Sequence, residues 1–87
     1  MKAKFHTRDI TTFHVLICCK LFHIEGHNSG SSFKRLCDKF PNHPAKVIYA
    51  AMDREDTKGF IEWGTSIRGA WVTALGDDFL QQQVIIV

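Results

Sequence analysis

From residue 10 to residue 52 apolar side chains recur every three or four positions, and from residue 60 onward they come in short runs broken by glycine. The first pattern predicts helices and the second predicts strands. Ile10, Phe13, Ile17, Leu21 and Ile24 follow the spacing of an amphipathic helix, with Thr7 or Asp9 placed to cap it and Gly26 to end it. Leu16, Cys18 and Phe22 carry apolar surface beyond one stripe, so this helix is expected at the centre of the core or covered on a second side. A turn-rich linker, His27 to Ser31, leads to a second helix capped by Ser31 or Ser32, with Phe33, Leu36, Cys37 and Phe40 facing inward. Pro41-Asn42-His43-Pro44 breaks it. Pro44 is expected as the first residue of a third helix, where its missing N–H costs nothing, with Val47, Ile48, Ala51 and Met52 inward.

Lys58-Gly59 closes the third helix, the glycine being free to take the left-handed conformation after the C-cap. Phe60–Trp63 and Ala70–Thr73 flank the loop Gly64–Gly69 and suit a hairpin with a longer connection. Trp63 and Trp71 are expected to stack across that hairpin or to cover the core. Thr73-Ala74-Leu75-Gly76-Asp77-Asp78 reads as the capped start of a short last helix, with both acids at the positive end of its dipole. Gln81–Gln83 and Val84–Val87 follow as an apolar tail, expected to pair as an edge strand, pack on the chain or bury in a partner. The order predicts an α+β fold: a small three-helix core with a β-hairpin and a short C-terminal helix or tail. It is read as a single domain over residues 1–87, with residues 1–8 as a basic arm.

Composition narrows the function classes. An apolar fraction of 45% and a charged fraction of 23% are ordinary for a globular domain. No apolar run approaches the roughly 20 residues of a membrane span, and the basic N-terminus lacks the apolar stretch of a signal peptide, so a cytoplasmic protein is expected. Cys18, Cys19 and Cys37 are odd in number, and the adjacent pair would point about 100° apart on a helix, so buried thiols in a reducing compartment are expected. No Cys-x₂₋₄-Cys pair or histidine counterpart is present, so no metal is expected. Without a nucleophile–base motif, a Gly-rich phosphate loop or a supported carboxylate pair, neither catalysis nor a cofactor is expected. The net charge of +2 is small but uneven: residues 1–46 carry a balance of +5 and residues 47–87 a balance of −3, which suggests one basic face.

The stretch KVIYAAMDREDTKGFIEWGTSIRGAWVTALGDDFL, residues 46–80, resembles the closing half of winged helix-turn-helix domains of small phage-type and MarR-like regulators. The matching positions are Lys58-Gly59, where the recognition helix stops ahead of the first wing strand, and Thr73-Ala74-Leu75-Gly76, where the second wing strand enters a helix. The likeness spans about residues 31–80. It implies a third helix in the DNA major groove, with Asn42, His43, Lys46 and Tyr49 outward near its start. It further implies Ser31, Ser32, Lys34 and Arg35 on the phosphate backbone, and Thr65, Ser66 and Arg68 at the wing tip. Lys2, Lys4 and Arg8 would add a basic arm. Asp53, Glu55 and Asp56 leave residues 42–59 without net positive charge, which confines contact to the first turns of the helix and the wing.

The leading functional reading is a sequence-specific regulator of double-stranded DNA. The alternative is a protein-interaction module or inhibitor on the same scaffold, binding a host or phage protein through Phe22, Tyr49, Trp63, Trp71 and the apolar C-terminus. A homodimer is expected in either case, because the first helix and the tail both carry surplus apolar surface.

Overall fold

The computed structural model describes residues 5–25 and 31–85. Among them the chain forms four α-helices, α1 (Thr12–Glu25), α2 (Ser32–Lys39), α3 (Ala45–Thr57) and α4 (Ala74–Ile85). A two-stranded antiparallel hairpin, β1 (Ile61–Glu62) and β2 (Trp71–Val72), lies between α3 and α4. Ile10, Val15, Leu16, Cys18 and Cys19 meet Leu36 of α2 and Val47, Ile48, Ala51 and Met52 of α3 in one core, closed by Ile61, Ala70 and Leu80.

The N-terminal segment is folded where it is described, not an arm. Thr7–Asp9 forms a 3₁₀ turn, and Arg54 of α3 reaches it, donating to the carbonyls of Thr7 at 3.2 Å and Ile10 at 2.6 Å. Lys2 and Lys4 lie outside the described residues. The cap of α1 is Thr11, not Thr7 or Asp9: its hydroxyl accepts from the His14 N–H at 3.2 Å, and His14 Nδ1 accepts from the Thr11 N–H at 3.2 Å. This is a capping box with histidine in the returning position. Asp9 accepts from the His6 N–H instead, within the preceding turn. The expected stop at Gly26 and linker residues 27–30 lie outside the described residues.

Helix α1 turns Val15, Leu16, Cys18 and Cys19 to the core. The evenly spaced stripe of Phe13, Ile17, Leu21 and Ile24 lies on the opposite side, with Ile17 partly covered and the other three exposed. At 100° per residue the two sets are about half a turn apart. The helix is therefore apolar on both sides but covered on one.

Helix α2 is capped by Ser31, whose hydroxyl accepts from the Lys34 N–H at 3.2 Å. Pro44 is the N-cap of α3 and not its first residue: its ψ of 150° is extended, while its carbonyl accepts from Val47 and Ile48. At the other end Gly59 has φ +82°, its N–H reaches the Asp56 carbonyl at 2.9 Å, and the Phe60 N–H reaches the Glu55 carbonyl at 3.0 Å. That is a Schellman stop, as Lys58-Gly59 predicts.

The hairpin has two rungs, Ile61 opposite Val72 and Glu62 opposite Trp71. Because side chains alternate along a strand, this register puts Trp63 and Trp71 on opposite faces, so the expected stacking does not occur. Thr73 joins the hairpin to α4. Its hydroxyl donates to the Gly59 carbonyl at 2.7 Å and accepts from the Gly76 N–H at 3.2 Å. Gly76 is buried against the Phe60 carbonyl, and a Cβ there would stand 2.4 Å from that oxygen. The expected tail at 81–87 is corrected: α4 continues through the glutamines to Ile85. No glycine or proline interrupts residues 77–85, and extending a helix costs less than starting one. Residues 86–87 lie outside the described residues. No helix among the described residues is long and apolar enough to cross a membrane.

Candidate nucleic-acid interface

The third helix presents Lys46, Tyr49, Ala50 and Asp53 at successive turns of one face. Together with Trp63 and Ile67 from the hairpin they line an open groove of about 380 Å³. Lys46 and Trp63 are both exposed at its edges. The groove thus has a cation at one end, an aromatic wall and a carboxylate at the other end.

Arg68 is carried on the 3₁₀ turn Ile67–Gly69, capped by Ser66, whose hydroxyl accepts from the Arg68 N–H. It does not project as an isolated wing tip. Its guanidinium lies 4.9 Å from the Phe33 ring centre and 5.5 Å from that of Tyr49, and its Nε donates to the Tyr49 hydroxyl. Phe33 and Tyr49 themselves stack at 4.6 Å. One cation therefore ties together α2, α3 and the hairpin loop while remaining exposed. Lys34 and Arg68 are both close enough to Cys37 for their charge to act on its thiol, although burial dominates and raises it. Lys34 also pairs with Asp38 at 3.0 Å.

Four expected contacts are placed elsewhere. Ser32 is fully buried, and its hydroxyl donates to the Ala70 carbonyl at 2.7 Å, so it fastens α2 to the hairpin and cannot reach a phosphate. His43 turns inward: its Nε2 meets Asp9 Oδ2 at 3.1 Å, and its ring sits edge-on between Phe5 and Phe40. The His6 backbone N–H, and then His43, hold the Asp9 carboxyl below the usual carboxylate range. Arg35 faces α1 and, with Lys39, lines a different groove beside Cys18 and Leu21. Ser31 is engaged as the α2 cap. Asn42, at the turn before α3, and Thr65, in the hairpin loop, are exposed, and Ser66 is exposed at its cap. Thr65 and Ser66 border a second groove with Phe22 and Trp71.

The acids of α3 differ sharply from one another. Glu55 is fully buried. Its Oε2 accepts from Arg54 Nε at 2.5 Å and from the Thr12 hydroxyl at 2.8 Å. Lys58 Nζ lies 3.4 Å from Oε1 and donates to the Thr12 hydroxyl. This cluster clamps α3 to the start of α1, and the sequence pattern hides it, since an acid between Arg54 and Asp56 reads as solvent-facing. Asp53 remains exposed at the end of the Lys46 groove. Comparison with protein-family models, curated proteins and solved structures finds no match.

Proposed function

We propose that this chain is a winged helix-turn-helix domain that binds double-stranded DNA as a regulator, with α3 in the major groove and the hairpin loop on the adjoining backbone. The observation that carries this reading is the position of Arg68. It rests over Phe33 and Tyr49, so helix α2, the outer face of α3 and the hairpin loop share one surface that also bears Lys34 and Lys46. The element order supports it: two helices joined by the short Phe40–Pro44 turn, then a hairpin, then a last helix. Burial of Glu55 between Arg54 and Lys58 supports it too, because that acid is neutralised internally and adds no repulsion toward phosphates. Lys46, Tyr49 and Asn42 supply donors for base edges or backbone, and Arg68 a phosphate contact.

Fluorescence anisotropy with a labelled random duplex, titrated from about 50 to 200 mM salt, tests the proposal. Binding is expected to weaken linearly in log–log form. The Lys46→Ala/Arg68→Ala double variant is expected to bind less tightly and to lose about two units of slope, one per phosphate contact removed. Absent or salt-insensitive binding overturns the reading. The second reading, a protein-interaction module, is favoured by a different feature, the exposed apolar side of α1.

A further inference from the structure

The carboxylates of Asp9, Asp38, Glu55 and Asp77 each meet a cation or a histidine of the same chain. That of Asp53 takes neither a hydrogen bond nor an ion pair among the described residues, and it is exposed. Seven residues separate it from Lys46, about 700° of helix turn, so the two lie within about 20° of one face and roughly 10.5 Å apart along the axis. Between them Ala50 is exposed and ends at a methyl group, and the three line one groove with Tyr49 and Trp63. Resting on the DNA reading above, we infer that Asp53 determines sequence specificity at this surface: its carboxylate accepts from the N4 amino group of a cytosine and so selects a C·G pair in the bound site.

Charge selects the partner atom. A duplex presents phosphates and base edges, and phosphates repel a carboxylate. The donors along the DNA major groove are amino groups, N4 of cytosine and N6 of adenine. The adenine amino group stands beside N7, an acceptor that repels a carboxylate, whereas the cytosine amino group has no acceptor next to it on that edge of its own base. An acid at position 53 therefore has one favourable base, cytosine. Side-chain length agrees with this assignment. Ala50 lets the helix face come close to base edges, and the short Asp53 side chain stays over the floor of the DNA groove, while the longer Lys46 reaches the phosphates at its lip. Any other base leaves the carboxylate facing the duplex without a donor, so Asp53 lowers affinity for unselected DNA while raising it for the selected site.

Selection from a random duplex pool, read by sequencing and run in parallel with the full wild-type chain, Asp53→Asn and Asp53→Ala, tests this. The wild-type chain is expected to enrich sites with a constant C·G pair, and replacing that pair by T·A is expected to weaken binding at least about fivefold. Asp53→Asn is expected to move the preference at that one pair to A·T, since a carboxamide bonds adenine N6 and N7 together. Asp53→Ala is expected to lose the preference there and to bind a cytosine-free dA·dT duplex a few-fold more tightly than the wild-type chain, because a like charge has been removed. Position 53 is exposed, so both variants are expected to keep the wild-type circular dichroism. The same enriched pair in all three chains overturns the inference and leaves the DNA reading standing, as does a wild-type site with no constant cytosine. Absence of duplex binding by the wild-type chain overturns both.

Discussion

Glu55 shows how far one residue's environment can depart from its apparent role. Its carboxylate is held by Arg54, Thr12 and Lys58 with no exposure to solvent. Arg54 and Lys58 are partly exposed and can turn to water when the carboxylate is removed, so the cost is that of the lost hydrogen bonds from Arg54 and Thr12, about 1–3 kcal/mol. Glu55→Ala is therefore expected to lower unfolding free energy by about 1–3 kcal/mol in a urea titration, while Asp56→Ala, at the same helix end, is expected to change it little. The cysteines give a second prediction at this scale. Burial pushes the Cys19 thiol up to about 12 from an ordinary 9.0, and Cys18 and Cys37 also upward. The folded chain thus holds a proton that the unfolded chain releases, so stability is intact below pH 9 and falls as pH rises toward 12. Thermal melts from pH 8 to 11 are expected to show this decline, shallower in Cys19→Ala. At neutral pH an alkylating reagent is expected to modify the thiols slowly until denaturant is added.

Among the elements, the hairpin is the least self-sufficient. Two rungs cannot hold a ribbon together in water, and its position depends on anchors from outside. Ser32 provides one by donating to the Ala70 carbonyl from a fully buried site. Thr73 provides another through Gly59 and Gly76. Gly76 provides the third, letting α4 approach the Phe60 carbonyl to a distance that no Cβ allows. In an open helix Gly→Ala would stabilise by about 1 kcal/mol. Here the sign reverses: Gly76→Ala is expected to destabilise by about 1–3 kcal/mol, because the atom in the way is backbone and cannot swing aside. Ser32→Ala is expected to cost about 1–3 kcal/mol, the price of an unpaired buried carbonyl, while leaving unchanged the salt dependence expected under the proposed DNA reading. Both follow from denaturant unfolding, and the second also from anisotropy.

At the scale of the molecule, surfaces of different character are distributed around one small core. Lys46, Tyr49, Trp63 and Arg68 gather on the side of α3 and the hairpin. Phe13, Leu21 and Ile24 gather on the outer side of α1. If the proposed DNA contact is made by the first of these surfaces, Lys46→Ala is expected to weaken duplex binding and Ile24→Ala to leave it unchanged, because residue 24 lies on α1 and outside the Lys46–Arg68 surface. Anisotropy on a labelled duplex, titrated in salt, checks both.

Read alone, the sequence determines the elements of this protein. Apolar spacing, the Gly59 stop and the Thr73 helix start depend on neighbours within one turn, so Val47, Ile48, Ala51 and Met52 are legible as core and Lys58-Gly59 as a terminus. Spacing could not say which of two apolar sides of α1 faces inward, because that is decided by where α2 and α3 pack. Nor could it show that Ser32 and His43 turn inward, that Glu55 is neutralised or that Arg68 lies across Phe33 and Tyr49. Those partners stand far apart in the chain, 43 residues for Thr12 and Glu55 and 38 for Ser32 and Ala70. A polar side chain looks the same in sequence whether it meets water or a buried partner, and only tertiary packing chooses between them.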